Sequence, residues 1–339
     1  MILHARFVLA LAFILALAAR VQTPFHFSAE CAIIGTSLSH LEGRTRMLQP
    51  FFISAHPAGN CQLILGERSA VLLDCTVSFC APETVENIKA RLDGRALDAI
   101  ILSHSHYDHA AGLPWLQRAF PGTSIYAHPY VREVFSKPNA LETIHKMCRN
   151  AQRLYGADYT GGNFDDAALQ VTLPLVEGQE FPFDDDVLRI LFTPGHTKDS
   201  LSVDFPAENV AWLCETLGVI RPDGRVQPCF LSGYQSALNS VDRIAALGPR
   251  QFMLSHTQEP LTMEQSTGYL TASRTAIVES ADLIRRLFEE GRDYGGIFEG
   301  YAAQYWSERY RPVWPYEAFS INAAAAIRVV LRELCGQQL

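Results

Sequence analysis

Ser103-His104-Ser105-His106-Tyr107-Asp108-His109 decides how this sequence is read. Three histidines and one aspartate directly follow the apolar run Ala99–Leu102. A short apolar run bounded by polar residues reads as a buried strand, so the histidines stand at a strand's C-terminal end. Loops at such ends carry function on a rigid scaffold. In extended chain, residues i and i+2 face the same way, so His104 and His106 both reach one ion. Once the chain turns after Tyr107, Asp108 and His109 point toward a second position. Neutral imidazoles and carboxylates are ligands that zinc accepts. The stretch gives each ion only two ligands, so the others must come from elsewhere.

Other strand ends supply candidates. Thr193-Pro194-Gly195-His196-Thr197 follows the strand Val187–Phe192. Glu215 comes directly after the strand Val210–Cys214, and His256 follows Phe252–Leu254 by one residue. The repeated order of strand, then histidine or carboxylate, makes His196, Glu215 and His256 candidate ligands. His4, His26, His40, His56, His128 and His145 lack that context. No Gly-x-Ser-x-Gly elbow occurs, so no serine nucleophile is indicated. Asp184-Asp185-Asp186 reads as a solvated turn between strands.

Further strands are expected at Cys61–Leu65, Ala70–Asp74, Ser124–Ala127 and Leu201–Asp204, and helices at Pro82–Leu92 and Leu238–Leu247. The alternation gives an α/β body over residues 44–260. After Pro260 two helical stripes appear. Tyr269, Ile277, Ala281, Ile284 and Phe288 form one, and Phe319, Ala323, Ile327, Val330 and Leu334 the other. Residues 261–339 are therefore expected to form a helical extension whose aromatics build its core, with an apolar substrate pocket or a homodimer contact as the alternatives. Of the chain's residues 48% are hydrophobic, too many for a disordered protein. The formal net charge is −8, so nucleic acid is not expected as a partner and a small-molecule substrate is. Phe7–Ala19 is an apolar run too short to span a bilayer comfortably, so no stable membrane span is expected. Within residues 1–43 it reads as a secretory signal, with Ala16-Leu17-Ala18 as cleavage site. The eight cysteines form no zinc-type pair and favour a reducing, cytoplasmic setting instead.

From about Phe51 to Thr257 the chain resembles the metallo-β-lactamase superfamily, on the motif His-x-His-x-Asp-His at His104 to His109. The resemblance implies a four-layer αββα sandwich with two metals at one edge of its sheets. His104, His106 and His196 would hold the first metal; Asp108, His109 and His256 would hold the second. The two divalent ions would be zinc, with iron or manganese as alternatives. Glu215 stands where the family usually has a bridging Asp, and Asp74 matches an early aspartate that supports the ligand loop. The resemblance implies hydrolysis of an ester-type bond, thioester or lactone, by metal-activated water, with Asp108 as the catalytic group. Members acting on glutathione thioesters are the most general match. A phosphodiester hydrolase, a ligand-binding protein without turnover and an iron-dependent sulfur dioxygenase are the alternatives. Tyr107, Tyr234 and Lys198 are candidate pocket residues.

Overall fold

A computed structural model describes residues 48–159, 164, 169–171, 173–311 and 314–337. The first sheet holds β1 (Gln49–Phe52), β2 (Gln62–Leu65), β3 (Ala70–Leu73), β4 (Ala99–Ile101), β5 (Ser124–Ala127) and β6 (Leu173–Pro174), side by side in that order. β1, β2 and β3 pair antiparallel, and β3 through β6 parallel. The second sheet is built from β7 (Glu180–Phe183), β8 (Asp186–Phe192), β9 (Leu201–Phe205), β10 (Val210–Leu213) and β13 (Gln251–Leu254), in the order β13-β10-β9-β8-β7. A small hairpin, β11 (Val219–Ile220) and β12 (Val226–Gln227), stands apart. The helices are α1 (Ala81–Leu92), α2 (Tyr107–Ala110), α3 (Leu113–Ala119), α4 (Pro129–Phe135), α5 (Pro138–Tyr155), α6 (Tyr234–Ala245), α7 (Met263–Glu289), α8 (Tyr294–Tyr305) and α9 (Tyr316–Leu334).

Successive residues of a strand face opposite sides, so a strand between two layers must be apolar throughout. β3 shows this. Ala70 and Leu72 pack outward with Val85, Ile88 and Leu92 of α1, whereas Val71 and Leu73 pack inward with Leu188, Ile190 and Trp212 of the second sheet. β10 repeats it, with Val210 and Trp212 between the sheets and Ala211 and Leu213 facing the outer helices. Each such Leu or Val side chain contributes about 1.5–3 kcal/mol by its burial. The result is the expected αββα sandwich with a C-terminal helical region. That region shares one core with the second sheet, because Ile277, Ile284 and Ile327 pack in the same cluster as Phe252 and Leu254. Thr262 and Gln265 form a capping box at the start of α7.

All eight expected strands are present, with ends that differ by at most two residues. Asp184 does sit in the turn between β7 and β8, but it is not merely solvated. Its carboxylate accepts from the backbone N–H groups of Glu67, Arg68 and Ser69, so it caps the β2–β3 turn. The seven described cysteines are free, and six are buried. Among the described residues no helix is long and apolar enough to cross a membrane. The run Phe7–Ala19 lies outside the described residues.

Candidate metal centre

Strand direction gathers the site. β10 and β13 run parallel, and β8 runs the same way because both it and β10 are antiparallel to β9. His104 and His106 leave the end of β4, and His106 is the N-cap of the one-turn helix α2 that carries Asp108 and His109. His196 follows β8, Glu215 opens a 3-10 turn (Glu215–Leu217) after β10, and His256 follows β13. The structure brings all seven candidates together in three overlapping groups. They are His104, His106 and His196; Asp108, His109 and His256; and His104, His109 and Glu215. In each group one ligand atom per residue lies within 4.8 Å of the others.

His106 Nδ1 is 3.0 Å from His196 Nε2. His109 Nε2 is 3.3 Å from His256 Nε2. Glu215 lies between the two histidine sets. Its Oε1 is 2.9 Å from His109 Nε2 and 3.1 Å from His256 Nε2, and its Oε2 is 3.7 Å from His104 Nδ1. Asp108 is the more exposed carboxylate, 3.8 Å from His109 Nε2 and 3.6 Å from His256 Nε2.

A layer of hydrogen bonds orients these groups. The fully buried Asp74 accepts from the Ser103 backbone N–H, the Ser103 hydroxyl and the Asn60 amide, and is paired with His109 Nδ1 at 2.7 Å. Ser103 Oγ is also 2.9 Å from His104 Nδ1. Asn60 accepts from the backbone N–H of His256 as well, so it joins the first sheet to the end of β13. Asp74 and His256 both hold left-handed backbone, with φ of 66° and 60°. Non-glycine residues hold such conformations at a cost that the surrounding bonds must offset. His196 Nδ1 is 2.8 Å from the Cys229 carbonyl. Thr216 donates to the Thr193 carbonyl and accepts from the His196 N–H, tying the Glu215 turn to the His196 loop. Gly195 has a φ of 142°, and a Cβ there would lie 2.7 Å from Ala237.

The donor set of these residues suits a metal cation. His104 Nε2 and both Glu215 oxygens are buried without a hydrogen-bond partner, which is costly unless something else satisfies them. The near approaches of Glu215 to His109 and His256 are therefore close pairings of charge rather than aligned hydrogen bonds. Burial lowers the pKa of His104 far below its usual value, and those of His106 and His196 to about 4. Burial opposes charge on Glu215 too, but His109 and His104 outweigh it and hold the carboxylate ionised. Neutral imidazole and ionised carboxylate are the states in which these groups bind metal. His109 and His256 are shifted upward, because the surrounding carboxylates, Glu215 foremost, overcome burial. Positive charge is thus favoured beside these acids.

Other expected neighbours stand further out. Tyr107 packs with Phe79, Tyr155 and Tyr159 in an aromatic cluster on which the His56 ring also rests. Lys198 Nζ is 5.7 Å from the Tyr130 ring, and Tyr234 packs on Phe230, so these contacts give neither a place in the cluster. Several supporting residues escaped the sequence reading. Asn60 is one. Asp199, which is buried and accepts from the Ser105 N–H between the two histidines, is another. The available signal was a polar residue inside an otherwise apolar stretch, as in Asn60-Cys61-Gln62.

A family model described as the metallo-β-lactamase superfamily matches residues 57–256. A metallo-β-lactamase fold-containing protein of Sulfurisphaera tokodaii is 27% identical over 143 residues, which cover 42% of this chain and 51% of that protein. The chain thus spans about half the length of this relative. A ribonuclease of Thermus thermophilus is 32% identical over 78 residues, 23% of this chain and 18% of that one. A metallo-β-lactamase family protein of Thermus thermophilus has a similar structure. Its TM-score is 0.56 at 18% identity, and the match covers 85% of this chain and 93% of that one.

Proposed function

The chain belongs to the metallo-β-lactamase superfamily, and on that premise we propose that it is a metal-dependent hydrolase that cleaves an ester-type bond, thioester or lactone, in a small molecule. The observation that carries this reading is the position of Glu215 between two histidine sets, with both carboxylate oxygens buried and unpartnered. His104, His106 and His196 would hold one divalent cation, and Asp108, His109 and His256 the other, with Glu215 reaching both. When bound, such a pair supplies an activated water at neutral pH and a Lewis acid for the scissile carbonyl. Zinc suits the ligand set, and iron or manganese share it.

The chain's own residues do the rest. Asp108, at the more open side of the cluster, orients the attacking water and returns a proton to the leaving group. Asp74 and the Cys229 carbonyl fix the rings of His109 and His196. Tyr107, which precedes Asp108 in the chain, packs on the apolar cluster of Phe79, Tyr155 and Tyr159, and such a wall suits an apolar acyl group better than a polyanion. A phosphodiester substrate is the second reading, favoured by the similarity to a ribonuclease.

Metal analysis of the purified full chain, with an aryl thioester, a lactone and an aryl phosphodiester as substrates, tests the proposal. Two metals per chain with thioester or lactone turnover is the expected result. Full loading with no hydrolysis would assign the protein to ligand binding instead. Iron alone, with oxygen consumed in the presence of a persulfide, would assign it to sulfur oxidation.

A further inference from the structure

The turn that carries Glu215 is bonded by side chains of α7, a helix that begins only at Met263. A glutamate side chain has three rotatable bonds, and neither oxygen of this one makes a hydrogen bond. Where its backbone stands therefore decides whether the carboxylate reaches His109 and His256. That backbone is the 3-10 turn Glu215–Leu217, closed by the Gly218 N–H donating 2.8 Å to the Glu215 carbonyl. Gly218 holds a φ of 93°, and a Cβ there would meet the Gln227 carbonyl at 2.6 Å, so the turn has one tight path out.

The exit carbonyls of the turn are buried and need donors. α7 supplies both. The Tyr269 hydroxyl donates to the Gly218 carbonyl at 2.6 Å, and the Ser273 hydroxyl donates to the Leu217 carbonyl at 2.5 Å. Tyr269 and Ser273 are four residues apart on one helix face, and both are buried. On the turn's other side Thr216 donates to Thr193. The turn is thus clamped between the His196 loop and α7.

We propose that Tyr269 and Ser273 are positioning residues for Glu215, so that α7 sets cation occupancy at the position Glu215 shares with His109 and His256. That position is singled out because Glu215 Oε1 stands 2.9 and 3.1 Å from Nε2 of His109 and His256. The inference rests on the two-cation reading above.

The test is zinc titration of the full chain against a chromophoric chelator, for the wild type and for Tyr269→Phe, Ser273→Ala and Ser280→Ala. Tyr269→Phe keeps the ring and its packing and removes only the hydroxyl. Ser280 is equally buried on α7 but donates within its own helix, to Ile277, and serves as the control. In Tyr269→Phe and Ser273→Ala one zinc should bind roughly 10- to 100-fold more weakly, as when an orienting partner is lost, and the other as in the wild type. Ser280→Ala should bind both like the wild type. A wild type that takes up two zincs while Tyr269→Phe and Ser273→Ala bind both with unchanged affinity would overturn the inference. Equal weakening at both positions would overturn it too, as a general loosening. A wild type that takes up no zinc would overturn the two-cation reading itself.

Discussion

His109 Nδ1 lies 2.7 Å from the same Asp74 carboxylate that receives the Ser103 N–H and hydroxyl. One fully buried acid therefore orients His109 directly and His104 through Ser103. Asp74→Asn keeps the size of the side chain but removes its charge and one acceptor. Metal affinity is expected to fall roughly 10- to 100-fold, the usual cost of losing such a partner. Competition titration with a chelator checks this, and affinity within error of the wild type would count against the role given to Asp74.

His106 is both the N-cap of α2 and the neighbour of His196 at 3.0 Å. His106→Ala should remove one metal and abolish hydrolysis while leaving the sandwich folded, since His106 is only partly buried and lies outside the core clusters. Metal content and circular dichroism on the same sample check it. Retained activity would remove His104, His106 and His196 as a cation site.

The site was legible because its chemistry is local. Four candidate ligands in one loop after an apolar run can be read without knowing the packing. The strands were legible for a related reason: layers on both faces make β3 and β10 apolar at every position. Elements with weak patterns were missed. α5 buries only Ile144, Cys148 and Ala151, a narrow stripe on a polar helix. β7 contains Pro182, a residue that demotes a strand on sequence grounds and is tolerated here at the sheet's edge. The supports Asn60, Asp199, Tyr269 and Ser273 were not legible, because what each does depends on a partner that only folding brings near.

Removal of the chain after Pro260 cuts into a shared core rather than trimming an appendage. Ile277, Ile284 and Ile327 are fully buried in the cluster that includes Leu213 and Phe252. Three such side chains together approach the whole stability of an ordinary domain, at about 1.5–3 kcal/mol each against about 5–15 in all. The truncated chain should lose its cooperative melt and its metal together. A soluble truncated chain with full metal content, seen by calorimetry and metal analysis, would refute this.

Asp223 ties the β11–β12 hairpin to the extension, pairing with Arg221 and Arg225 of the hairpin and with Arg309 and the Tyr310 hydroxyl. Burial opposes its ionisation, but the hydrogen bonds from Arg225, Tyr310 and Arg221 outweigh it and hold the carboxyl well below the usual carboxylate range. A depressed folded-state pKa stabilises the protein above the unfolded value of about 3.9. That contribution is lost as the pH falls below this value toward the folded pKa. The Tm of Asp223→Asn should therefore lie below that of the wild type at pH 6, and the gap should shrink as the pH is lowered past 4. Melting curves of the two proteins across that range check the sign. A gap that stays constant or widens in acid would mean that the carboxylate is not held ionised by these partners.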